Sequence, residues 1–201
     1  MTGRATSAHD LERRAGLPDD LRALLARYPR ETWDGHAKLG QTARFWLQRH
    51  GMFREIGGML TEALGQRREA IERPGEPNDG RAFAAFFVPR LQFFLGELDA
   101  HHNIEDHHYF PVFRAAEKRL AKGFDLLDAD HAVIHEALER NAASANAMLR
   151  ALGRAGEKDA AARHAEETDR MIRMLLRHLE DEEDLIVPVI LDRGEAALGI
   201  G

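Results

Sequence analysis

A histidine followed four residues later by a carboxylate, then an apolar run closed by proline, occurs twice in this chain of 201 residues. HHNIEDHHYFPVF begins at His101 and HLEDEEDLIVPVI begins at His178. The two stretches align His101 with His178, Glu105 with Glu182, Asp106 with Glu183 and Pro111 with Pro188. On a helix, positions i and i+4 share one face one turn apart. Each copy therefore aims an imidazole and a carboxylate at the same place. Two such helices facing each other would build a metal site.

The rest of the chain supplies the helices such a site needs. Apolar residues recur at helical spacing and few runs alternate as strands do. A short first helix is expected after Leu17, with Pro18 near its first position, ending near Tyr28-Pro29. Four long segments follow, over about 36–71, 81–120, 128–152 and 157–191, the third with Asp125 or Asp128 as its expected cap. Pro89 and Pro111 should kink or interrupt the second, and RPGEPNDG (Arg73–Gly80) reads as a loop. Long amphipathic helices with short connections pack most simply as an up-down-up-down four-helix bundle. The expected fold is all-α, with a short extra helix in residues 1–30, the bundle over 36–191 and a tail at 192–201.

Register then places polar groups on the inside. Positions 94, 98, 101, 105, 108 and 112 keep a four-three rhythm, as do 171, 175, 178, 182, 185 and 189. The same rhythm turns His50 inward in the first long helix and His131 in the third, with His135 one turn on. Burying such groups without partners costs several kcal/mol each, and six or seven would exhaust the stability of an ordinary domain. One inward histidine is most often a core residue bonded to a carbonyl. Two histidines each paired with a carboxylate at i+4 have no such explanation, and a metal ion removes the cost for the whole set. Eleven histidines and no cysteine leave imidazole as the prime ligand. A net charge of −6 argues against nucleic acid or an anionic membrane as partner. No signal-type or membrane-spanning stretch is evident, so the expected location is the cytoplasm.

Taken together these residues resemble the hemerythrin-like (HHE cation-binding) family. The resemblance rests on the isolated His50, His-x-x-x-Glu ahead of YFP, the histidine of DADHAVIHEAL, and HLEDEED ahead of IVP, and it covers about 36–191. It implies a non-haem centre of two iron ions bridged by carboxylates, held by His50, His101, Glu105, His131, His178 and Glu182. His135 matches the second histidine of the His-x-x-x-His pattern that oxygen carriers place on the third helix. Those carriers also use His-x-x-x-x-Asp on the fourth helix, a spacing that falls here on Glu183. Glu182 and Glu183 both stand as candidates; helical geometry favours Glu182, about 40° from His178 rather than about 140°. Without the resemblance the residues specify only a His/carboxylate site, since imidazole suits Zn, Cu, Fe and Ni alike.

The remaining ionisable groups are given lesser roles. His102 and Asp106 form a rival i,i+4 pair on the flank, suited to supporting the ligands. His108 lies inward by register, as a core histidine first and a seventh ligand or gate second, while His9 and His164 read as solvent-exposed. Glu180, Asp181 and Asp184 should point away from the seam. The expected function is a di-iron protein that binds or senses oxygen, nitric oxide or another small ligand, or holds iron, with a separate redox partner protein as a candidate partner. The alternative is a di-iron oxidoreductase acting on peroxide or nitric oxide, or repairing iron–sulfur centres. A structural metal is the third reading.

Overall fold

The structure, a computed structural model, describes residues 10–73 and 79–201, and no strand occurs among them. Helix α1 spans Ala23–Arg27 after a 3-10 turn at Asp19–Leu21 that follows Pro18. The long helices are α2 (Gln41–Glu72) and α3 (Gly80–Ile104). A π-helical turn at Glu105–Tyr109 leads from α3 into α4 (Phe110–Ala116). A 3-10 turn at Lys118–Leu120 then precedes α5 (Ala121–Ala151), and α6 (Glu157–Arg193) and α7 (Glu195–Leu198) complete the chain. This is an all-α helical bundle with a short extra helix ahead of it.

Local chemistry sets the ends. Asp79 Oδ1 accepts the backbone N–H groups of Arg81 and Ala82 at 3.0 Å each, which caps α3. The loop expected over Arg73–Gly80 lies largely outside the described residues. Glu195 Oε1 accepts the N–H of Ala43 at 2.8 Å and satisfies a free donor at the start of α2. A Cβ at Gly40 would lie 2.1 Å from the Glu195 carboxylate, so this contact needs glycine. Helix α5 begins earlier than expected because Leu120, Phe124 and Leu127 already keep a buried helical stripe. Asp125 and Asp128 cap nothing; they pair with Arg114 at 2.9 and 2.6 Å.

Pro89 does not interrupt its helix as expected, whereas the break expected at Pro111 does occur beside it. Helix α3 runs on through Pro89 and α6 through Pro188. The interruption comes just ahead of Pro111, where the Phe110 N–H reaches back to the Glu105 carbonyl to close a wide turn. That turn adds one residue to the helical repeat and rotates everything after it. Phe110 and Phe113 therefore become the buried positions, and His108 and Val112 do not. His108 is exposed, contrary to the unbroken heptad.

The chain divides into two compact units. The first comprises, of the described residues, 10–51, 101–133 and 174–201, around a core that includes Trp33, Trp46, Phe110, Phe124, Leu127 and Leu185. Within it α5 and α6 approach closely: a Cβ at Gly123 would lie 2.7 Å from Leu185 Cδ1. The second comprises 52–73, 79–100 and 134–173, with Phe53, Phe87, Phe94, Ile134, Met148 and Met171 fully buried. His164 belongs to this second core. It is wholly buried rather than exposed, with Nδ1 2.8 Å from the Ser144 hydroxyl and its ring edge-on to Phe87.

Candidate metal centre

All the buried histidines of the first unit converge. Helix α2 supplies His50, α3 supplies His101 and His102, the π turn supplies Glu105, α5 supplies His131, and α6 supplies His178 and Glu182. Each of these seven is at most 6% exposed. Two groups of ligand atoms result: His50, His101, Glu105 and Glu182, and beside it His102, His131 and His178. In the first, His50 Nε2 lies 3.1 Å from His101 Nε2 and 3.4 Å from Glu182 Oε2, and His101 Nε2 lies 3.0 Å from Glu105 Oε1. In the second, His131 Nε2 lies 3.1 Å from His178 Nε2.

The two carboxylates link the groups. The second oxygen of Glu105 lies 3.7 Å from His131 Nε2, while Glu182 Oε2 stands 3.5 Å from His178 Nε2 as well as facing His50. Trp46 fixes Glu105 by donating its indole N–H to Oε1 at 2.6 Å.

The far nitrogens define the tautomers. His50 Nδ1 meets Glu183 at 3.0 Å, His131 Nδ1 meets Asp106 at 2.7 Å and His178 Nδ1 meets Asp130 at 3.3 Å. A carboxylate only accepts, so each Nδ1 carries the proton and each Nε2 presents its lone pair to the centre. His131 and His178 thus aim two lone pairs at each other across 3.1 Å, which is no hydrogen bond. Two nitrogens each about 2.1 Å from one cation keep about this separation. Both oxygens of Glu182, Glu105 Oε2 and His102 Nε2 are also buried without a hydrogen-bond partner. Buried polar atoms are otherwise almost always paired. This donor set fits a metal ion.

The electrostatics agree. Burial pushes the Glu182 carboxyl well above the usual range, and the neighbouring Glu105 pushes it further. Burial also raises Glu105. Burial lowers His101 and His102 well below the ordinary histidine value. His178 falls to about 4 through burial, although Asp130 opposes this. The chain thus holds neutral imidazoles ready to ligate beside two carboxyls that need a cation to ionise together.

Several expectations about individual residues change. His135 is not in the cluster: its side chain is 60% exposed and lies beside Asp99 at 3.3 Å, in the second unit. The inward stripe of α5 passes through His131, Ile134 and Leu138, leaving position 135 on the flank. His102 is inside instead, stacked on His131 with ring centroids 4.0 Å apart. His101 and His102 are consecutive on α3, ahead of the π turn, and both are buried in the cluster with Glu105. Asp181 is wholly buried and receives Arg14 Nε at 2.6 Å, so it does not face water; Glu180 does, at 52% exposure. Glu182 joins the cluster, whereas Glu183 lies one layer out.

No helix among the described residues is long and apolar enough to cross a membrane. No curated protein and no solved structure matches the chain. The family model described as Hemerythrin HHE cation binding domain matches residues 41–190, which include every residue of the buried cluster. The chain therefore belongs to the hemerythrin HHE cation-binding domain family.

Proposed function

We propose that this protein holds two iron ions bridged by Glu105 and Glu182, and binds or senses a small ligand such as oxygen or nitric oxide there. His50 and His101 would hold one ion, and His102, His131 and His178 the other. The observation that carries this reading is the pair of adjacent ligand groups, with Glu105 and Glu182 each within 3.7 Å of a histidine from both. A single structural ion would use only one group and leave the other buried at full cost.

Bound iron would supply redox chemistry and a coordination position for a diatomic ligand. The protein's own contribution is orientation and exclusion of water. Glu183, Asp106 and Asp130 hold the proton of each ring on Nδ1 and keep Nε2 inward. Phe110 covers the His131 ring at 5.2 Å between centroids, and Trp46 lies 4.4 Å from His50, so two faces of the site are dry.

The test is an optical titration of anaerobically iron-loaded protein with oxygen and with nitric oxide. Reversible visible absorption changes with gas exchange, without turnover, support the binding function. Many turnovers of peroxide or nitric oxide per centre would favour the oxidoreductase, and no visible band at all would defeat both.

A further inference from the structure

The segment ahead of the matched residues 41–190 carries two arginines whose positions the family relationship does not account for. Arg14, whose side chain is 1% exposed, donates Nη1 to Asp130 Oδ1 at 2.7 Å and Nη2 to the other oxygen, and Nε to Asp181 at 2.6 Å. Arg30 donates Nη1 to Glu183 Oε2 at 2.8 Å, Nε to Asp184 at 2.6 Å and Nη2 to the Glu180 carbonyl at 2.9 Å. Asp130 and Glu183 are the same carboxylates that hold the Nδ1 protons of His178 and His50. Two chains of contact therefore run inward from one short segment: Arg14 to Asp130 to His178, and Arg30 to Glu183 to His50.

The segment is built to stay in place. Leu11, Leu17, Leu21, Leu24 and Trp33 are buried, and Arg177 Nη1 donates to the Ala15 carbonyl at 2.9 Å. The Arg30 guanidinium sits 4.9 Å over the Trp33 ring, which orients its fork. Arg14 grips both oxygens of Asp130, which fixes that carboxylate in direction as well as in charge, while Arg30 holds Glu183 through one N–H and is itself anchored by Asp184 and the Glu180 carbonyl. Without these contacts, a buried carboxylate beside an imidazole can rotate away or take up the ring proton, and the ring loses its fixed lone-pair direction.

We propose that residues 10–40 are a working part of the metal centre, with Arg14 and Arg30 as positioning residues that set how tightly His178 and His50 hold metal. This rests on the reading that the cluster binds metal. It assigns the segment a role that packing alone would not give it: its removal from the contact chain should change the behaviour of the metal, not only the stability of the fold.

The experiment uses the full chain loaded with zinc, releasing it to a chelator, with melting of the metal-free protein measured alongside. Arg30→Gln is the main variant, because Arg30 is 42% exposed and the fold should tolerate the change. It should release zinc about tenfold faster than the parent, the lower end of what outer partners of metal ligands are worth. Arg30→Lys should recover part of that loss, since it restores the charge but not the fork. Arg14→Lys, which keeps the buried charge, should also release faster. Release within twofold of the parent in both Arg30→Gln and Arg14→Lys, whatever happens to melting, would overturn the proposal and leave the segment purely structural. A parent chain that retains no zinc or iron would instead bring down the metal reading beneath it.

Discussion

His50 donates its Nδ1 proton to Glu183 across 3.0 Å, while its other nitrogen faces Glu182, the adjacent residue in sequence, at 3.4 Å. One ring thus separates two consecutive glutamates into different jobs. Neither oxygen of Glu182 has a hydrogen-bond partner, whereas Glu183 is met by His50 and Arg30. Glu182→Gln should therefore reduce metal bound per chain by half or more. Glu183→Gln should keep the stoichiometry but weaken affinity on the order of 10-fold to 100-fold. Metal counting on both dialysed variants checks this, and equal losses would remove the distinction.

His102 and His135 exchange their expected standing. His102→Ala should lower metal content, because it removes one of the three nitrogens in the second ligand group. His135→Ala should leave both metal content and melting within error, because that ring faces water beside Asp99. Metal analysis of the pair decides the matter, and a loss on His135→Ala would contradict the arrangement described.

Trp46 holds Glu105 Oε1 through its indole N–H at 2.6 Å. Trp46→Phe keeps the ring packing against His50 and removes that bond. The shift should be an affinity roughly tenfold weaker or more, since a hydrogen bond to a charged group is worth about 1.5–3 kcal/mol. Calorimetric titration of the metal-free variant measures it.

The pH dependence of the metal-free protein follows from its buried histidines. His164 titrates at about 4 in the fold because burial disfavours its charged form, against about 6.5 in an unfolded chain. Between those values the unfolded state binds more protons, so stability rises with pH there. It is complete above about 6.5 and is lost as pH falls toward 4, with His178 adding to the same trend. Melting at pH 5 should be lower than at pH 7, and His164→Leu should flatten part of that slope. An unchanged slope in the variant would show that His164 does not titrate in this window.

Much of the centre is legible as spacing. His101 with Glu105 and His178 with Glu182 stand out because the same four-residue interval recurs ahead of proline, and His50 and His131 because heptad counting turns them inward. What spacing could not carry was the π turn. An extra residue within Glu105–Tyr109 breaks the count and turns His108 out; His102 lies ahead of that turn and enters from the flank of α3 by stacking on His131. The local signal was there in Pro111, which cannot donate a backbone hydrogen bond, but a proline does not say which turn before it widens. The outer layer was invisible for another reason. Arg14 meets Asp130 and Asp181, and Arg30 meets Glu183, across more than a hundred residues of chain, and no periodicity links such partners. His164 reads as solvent-facing because Ser144, the partner of its Nδ1, lies on a different helix.

The most direct test of the central claim is the iron count of protein reconstituted anaerobically with excess ferrous iron and then desalted. Two irons per chain, falling to one or fewer in Glu182→Gln, is the predicted result. A single tightly held ion per chain, unaffected by that substitution, would contradict a centre built on shared carboxylates.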